Sequence, residues 1–148
     1  VRALIQRVKN AQVTVDEKLV GKIEKGLLVF LGVAHGDNEQ LADKLLHKIL
    51  HYRIFSDEQG KMNRNVQEAQ GSLLIVSQFT IMAETNKGLR PSFTSAALPA
   101  EAERLYKYFV TTAGKSYQVE RVAAGQFAAD MQVTLQNDGP VTFMLEVS

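Results

Sequence analysis

The chain has 148 residues, of which 45% are hydrophobic and 22% charged, the proportions of a soluble globular protein long enough to bury a real core in one domain. A net charge of +1 and a pI near 8.1, with lysines and arginines scattered and no basic block, argue against wrapping extended nucleic acid. Any nucleic-acid contact is expected at a short stretch or an end. The absence of cysteine excludes disulfides, thiolate zinc sites and a cysteine nucleophile.

The opening VRALIQRV alternates charge with apolar residues and predicts a strand over 2–8 rather than a signal peptide. Gln12–Val15 and Leu19–Ile23 flank DEK as a hairpin. GLLVFLGV at 26–33 is continuously apolar, the mark of a strand covered on both faces. No apolar run approaches the roughly eighteen residues of a membrane span, and the expected compartment is the cytoplasm, with no membrane partner.

Asp37 and Gln40 form a capping-box pattern ahead of a helix over about 38–52. Its apolar stripe is Leu41, Leu45, Ile49 and Tyr52, widened by Ala42, Leu46 and Leu50. RIF predicts a short strand, SDEQGK a turn, and SLLIVSQFTI at 72–81 a second buried strand. Residues 82–97, MAETNKGLRPSFTSAA, show no periodicity; a loop that long is usually functional or mobile. A second helix starts at Leu98-Pro99, buries Ala102, Leu105, Tyr106, Phe109 and Val110, and is expected to end at Gly114. Strands near 117–123 and 126–136 lead into VTLQNDGPVTFMLEV at 133–147, which alternates like a hairpin around Asn137-Asp138-Gly139. Pro140 is out of place there, because it removes a donor where the second strand would begin. The fold class implied is α/β: one domain over 1–148, with a curled or barrel-like sheet and two helices packed outside.

Two constellations bear on chemistry. His47 and His51 share a helix face at i, i+4, but KIL between them lacks the glutamate of a zinc-protease motif and no third ligand stands out, so they read as a polar face and no metal is expected. Ser77-Gln78-Phe79-Thr80 closes a buried strand and opens onto the long loop, where sites are commonly built. It offers two hydroxyls, an amide and an aromatic face able to stack on a base. Spacing alone reads it more plainly, with Phe79 in the core and the polar residues facing solvent.

SQFT at 77–80, NDGPVTF at 137–143, ALIQRV at 3–8 and YRIFSDEQGKMNRNV at 52–66 together resemble the D-aminoacyl-tRNA deacylases, also called D-Tyr-tRNA deacylases, over essentially the whole chain. The resemblance implies a cytoplasmic homodimeric hydrolase without cofactor. Its substrate is the ester joining a D-amino acid or glycine to the terminal adenosine of tRNA, and L-aminoacyl-tRNA is spared. It implies binding of the tRNA acceptor end and no DNA partner. It also implies a cis Gly139-Pro140 unit entering the partner subunit's active site as a chiral gate, where its carbonyls tolerate hydrogen but not a side chain on the substrate α-carbon. Ser77, Gln78, Phe79, Gly139 and Pro140 become substrate-binding residues, and Gln78, Phe79 and Thr80 catalytic ones.

Thr80 is then either a nucleophile or a group that orients water, and the motif supplies no adjacent base to activate its hydroxyl. The alternative oxyanion donors are backbone N–H groups near Phe79 and Thr80, with the vicinal ribose hydroxyl assisting the water. Rival readings are editing of a mischarged L-aminoacyl-tRNA on the same scaffold, or a non-catalytic RNA-end binding module.

Overall fold

The computed structural model describes residues 1–148. The N-terminal alternation is realised as one long strand, β1 (Arg2–Val15), rather than two. Asp16 and Glu17 both take positive φ, 49° and 67°, the left-handed pair that a two-residue hairpin turn demands. The chain then returns as β2 (Lys18–Ile23) and β3 (Gly26–Gly32), which lie end to end along the same edge of β1. A small hairpin, β4 (Phe55–Ser56) with β5 (Met62–Arg64), encloses the SDEQGK turn, where Asp57 Oδ1 accepts from the Gln59 and Lys61 N–H groups.

Strand β6 (Ser72–Ser77) runs parallel to β3, and β7 (Val122–Ala124) runs parallel to β6. This pair explains the two continuous apolar runs. Leu27, Val29, Leu31, Leu73 and Ile75 face one core, and Leu28, Leu74 and Val76 face another within the curl of the sheet. The curl nearly closes where β2 approaches β7. A Cβ on Gly21 would lie 2.5 Å from the Ala124 carbonyl oxygen, so only glycine permits that approach.

Two helices, α1 (Glu39–His51) and α2 (Pro99–Ser116), cover the outer core side by side. They bury Ala42, Leu45, Leu46, Ile49 and Leu50 from the first and Leu105, Tyr106, Phe109 and Ala113 from the second. Each fully buried large aliphatic side chain contributes about 1.5–3 kcal/mol. The fold class is the expected one, but several boundaries move for identifiable reasons.

Asn38, not Asp37, caps α1, its side chain accepting from the Leu41 N–H at 2.9 Å. Asp37 is already committed to the Ala34 N–H at 2.7 Å. Helix α2 passes through Gly114, because the Tyr117 N–H continues the ladder onto Ala113 O and the Tyr117 hydroxyl is held by Gly71 O at 2.6 Å. The expected strand over 117–123 is reduced to Val122–Ala124, preceded by a 3-10 turn at Val119–Arg121. The strand expected over 72–81 stops at Ser77. Phe79–Met82 form a 3-10 turn that folds back so closely that a Cβ on Gly32 would meet Ile81 at 2.7 Å.

The C-terminal hairpin does not exist. Residues 132–146 are one strand, β8 (Gln132–Glu146), antiparallel to the whole of β1 and paired with it alone. The alternation was real, but both halves run in the same direction.

Tyr106 ties α2 to the sheet, its hydroxyl donating to Ile75 O at 2.8 Å and approaching Gly125 O at 3.4 Å. Burial pushes its phenol from 10.0 up to about 12. The folded value exceeds the unfolded one, so the stability contributed by the neutral phenol is complete below pH about 10 and is lost as pH rises toward about 12. Denaturant melts between pH 8 and pH 11.5 are expected to show this alkaline loss. Tyr106→Phe, which leaves Ile75 O still paired with the Gly125 N–H, is expected to cost about 0.5–1.5 kcal/mol at pH 8 and to flatten the alkaline slope.

Candidate functional site

Strand β6 carries Ser77 and Gln78 to the edge of the sheet beside the end of β3, and the Gln78 N–H makes the last bond, to Leu31 O at 2.8 Å. The turn that follows swings Phe79 and Thr80 outward. Phe79, expected in the core by spacing alone, is 58% exposed. Its ring sits 4.9 Å from that of Phe93 at 58° between planes. The N–H groups of Phe79 and Thr80 stand in the first turn of the 3-10 segment, where no acceptor precedes them within it.

A cleft of about 640 Å³ opens at this point. Ser77, Gln78 and Phe79 form one wall, with Phe93, Leu98, Phe127 and Met131 among the others. Of its 17 lining residues none is charged and none is histidine, so proton transfer there has no ionisable side chain to rely on. The Thr80 hydroxyl is hydrogen-bonded to the Gln78 side-chain amide. In either orientation of that amide, this hydrogen-bond partner is far too weak a base to generate an alkoxide.

The histidines stand apart from this cleft. His35 borders a smaller pocket of about 250 Å³ behind Val33, Ala97 and Leu98. His47 and His51 stack at 4.1 Å on the exposed side of α1, and His51 Nδ1 lies 2.8 Å from His47 O. No three carboxylate or imidazole side chains converge as a metal-binding group.

Gly139 and Pro140 are exposed elsewhere. Thr142 pairs with Gln6, and Asn137 with Val8, so Asp138, Gly139, Pro140 and Val141 bulge out opposite Arg7. The Gly139-Pro140 bond is cis. Asn137 clips the base of the bulge: its Oδ1 accepts from the Val141 N–H at 2.7 Å, and its Nδ2 donates to Val141 O at 3.3 Å and to Thr142 Oγ1 at 3.1 Å. From β1, the Arg7 guanidinium donates to Asp138 O at 2.9 Å and to Ile54 O at 2.7 Å, gripping the bulge from below. Gly139 has φ +154°, and a Cβ there would meet Val141 Cγ2 at 2.5 Å. Only glycine fits.

A single chain does not bring the two motifs together. Arg7 is level with Leu27, whereas Ser77 is level with Leu31, and β1 and β3 lie between β8 and β6. By strand geometry the separation is roughly 13 Å along the sheet and roughly 14 Å across it.

The model of the family described as D-Tyr-tRNA(Tyr) deacylase matches residues 4–146. The chain belongs to that family. It is 63% identical over 144 residues to the D-aminoacyl-tRNA deacylase of Haemophilus ducreyi, covering 97% of this chain and 98% of the relative. To the D-aminoacyl-tRNA deacylase of Aeromonas hydrophila it is 63% identical over 145 residues, covering 98% and 99%. Among solved structures, one named c-Myc DNA Unwinding Element Binding Protein superposes with a TM-score of 0.96 at 39% identity, covering 100% of this chain and 99% of that one. A probable eukaryotic D-amino acid tRNA deacylase superposes at 0.84 with 17% identity, covering 99% and 98%, a likeness of fold alone.

Within this deacylase-family chain, sequence reasoning had not reached the opposite wall of the cleft or the clip at Asn137. Phe93 carried a signal, as the one aromatic residue of the loop over 82–97. Phe127 and Met131 carried none. Asn137→Ala leaves the buried Val141 N–H without its acceptor, and a denaturant melt is expected to show a loss of about 1–3 kcal/mol.

Proposed function

We propose that this chain hydrolyses the ester between a D-amino acid or glycine and the terminal adenosine of tRNA and spares L-aminoacyl-tRNA, acting in the cytoplasm, where charged tRNA is used. The observation that carries the reading is the uncharged cleft beside Ser77–Thr80. An amide or a phosphodiester would need strong acid–base help, whereas an aminoacyl ester is labile enough to yield to positioning and to donors aimed at its oxyanion. Phe79 and Phe93 offer aromatic faces for adenine, and the 3-10 turn offers the Phe79 and Thr80 N–H groups to the developing negative charge. Ser77 and Gln78 hold the substrate from the strand end. The ribose hydroxyl next to the ester accepts the role of orienting water, which no ionisable side chain of the cleft can fill.

The active unit is a homodimer. One chain's cleft is open where stereochemistry has to be judged, and its Gly139-Pro140 bulge projects at the free edge of the sheet, away from its own cleft. A partner's bulge entering the cleft would set backbone carbonyls against the substrate α-carbon. A D-residue or glycine presents hydrogen there. An L-residue presents its side chain and is excluded by contact. Arg7 and Asn137 give the bulge the rigidity that such a steric test requires.

The purified protein is expected to release D-tyrosine and glycine from their tRNAs and to leave L-tyrosyl-tRNA intact, with activity surviving a strong chelator, since no carboxylate, imidazole or thiolate lines the cleft. Equal rates on the two enantiomers would overturn the stereochemical reading, faster release of the L-amino acid would point to an L-editing enzyme, and binding without hydrolysis to an RNA-end module.

Substitutions separate the two accounts of the chemistry. Thr80→Ala is expected to keep kcat within roughly fivefold of the parent, since the hydroxyl has no base. Phe79→Ala is expected to lose roughly ten- to hundredfold in kcat/KM, matching the ~1–3 kcal/mol of a lost base stack. A Thr80→Ala protein that folds, binds tRNA and yet falls to background would make threonine the nucleophile.

A further inference from the structure

The loop between the 3-10 turn and α2 is pinned at its neck and free at its tip. Glu84 and Ser92 exchange backbone bonds, Glu84 N–H to Ser92 O at 2.7 Å and Ser92 N–H to Glu84 O at 3.3 Å. The next residue, Phe93, lines the cleft and packs on Phe79. Beyond the neck, Gly88 turns the chain with φ +71°. Leu89 is wholly exposed between Lys87 and Arg90, which are exposed as well.

Arg90 differs from most arginines of the chain. Arg2, Arg7, Arg64, Arg104 and Arg121 are each tied to a carboxylate, a carbonyl or a side-chain amide. Lys87 and Arg90 make no ion pair or hydrogen bond within the chain, and their loop leads into Phe93, which lines a cleft with no charge of its own. Arg90 lies three residues from Phe93, within roughly 10 Å of chain. A nucleoside seated against Phe79 and Phe93 would have its 5′ phosphate within reach of the loop that enters the cleft at Phe93. An ammonium and a guanidinium flanking an apolar side chain match the alternation of phosphate, sugar and phosphate along single-stranded RNA.

We propose that Lys87 and Arg90 bind the phosphodiesters immediately 5′ of the terminal adenosine, with Leu89 against the sugar between them. The proposal rests on the reading that the cleft accepts that adenosine. It makes the loop the place where a nearly neutral protein concentrates its attraction for RNA.

The test compares two substrates, a D-aminoacyl-tRNA and the D-aminoacyl ester of adenosine alone, which has no phosphate. For the double variant Lys87→Gln/Arg90→Gln, the loss in kcat/KM on the tRNA is expected to exceed the loss on the adenosine ester by roughly five- to tenfold, chiefly through KM. The slope of log affinity against log salt for the tRNA is expected to become shallower by about 1.4, the contribution of two single-strand phosphates. Lys87→Arg/Arg90→Lys should restore the slope. Lys115→Gln, in the last turn of α2 and roughly 24 Å from Pro99 by helical rise, should leave it alone. Equal losses on both substrates, or an unchanged slope, would overturn the proposal by showing that the loop only shapes the cleft. A change in oligomeric mass of the double variant by sedimentation would overturn it in favour of a protein contact. If the parent hydrolyses neither substrate, it is the deacylase reading that has failed, not the assignment of the loop.

Discussion

Burial of β3 and β6 on both faces decides where this protein can place chemistry. A parallel pair enclosed in that way has no solvent-facing side chain along its length, so function is pushed to the strand ends. At one end the register brings Leu31 beside Ser77, and the last ladder bond, from the Gln78 N–H to Leu31 O, leaves the next backbone donors without strand partners. The sharp turn at Phe79–Met82 is possible because Gly32 leaves room for Ile81 and Met82 against it. A cleft walled by aromatic rings and open N–H groups is thus a consequence of how the central strands terminate.

The second motif depends on the other edge of β1. A strand of fifteen residues paired on one side only is a template for unwanted association unless something interrupts it. The bulge at 138–141 does so, and it also lifts two backbone carbonyls clear of the ladder. Its shape is held by side chains that pair with backbone: the Asn137 amide and the Arg7 guanidinium, each satisfying groups that the missing ladder bonds release. An aliphatic residue at either position would leave those groups bare.

Much of this was legible in the sequence, and the misses share a cause. Continuous apolar runs identified β3 and β6, and helical spacing identified both helices, because burial writes directly into residue type. The expected hairpin at 133–147 failed because alternation records which face a residue takes and not the direction in which the chain runs. Asn-Asp-Gly reads equally well as a turn or as a bulge, and only pairing with β1 decides. The proline was the residue that did not fit a hairpin, and it marked the bulge. Asp37 and Asn38 were both competent caps; the contest turned on which had another partner, and that is not written in either residue. The SQFT stretch was visible as a strand end, but its opposite wall also draws on Phe127 and Met131, distant in sequence and unremarkable in type.

Catalytic signatures in sequence are signatures of side chains, and here the side chains nearest the expected reaction are poor reagents. The cleft holds no imidazole, carboxylate, thiol or ammonium, and the single hydroxyl at the turn is bonded to an amide. What remains is backbone. N–H groups lie at one motif and carbonyls at the other, each fixed in direction by a glycine or a clip rather than by its own identity. Backbone donors cost little reorganisation when charge develops, because they are already held in place. Carbonyls set by a bulge can judge hydrogen against a methyl group by contact alone, without regard to what lies further along the substrate side chain. In the proposed homodimer, a site of that kind would discriminate handedness and ignore residue type. That is the combination required of an enzyme that must accept many D-amino acids and no L-amino acid.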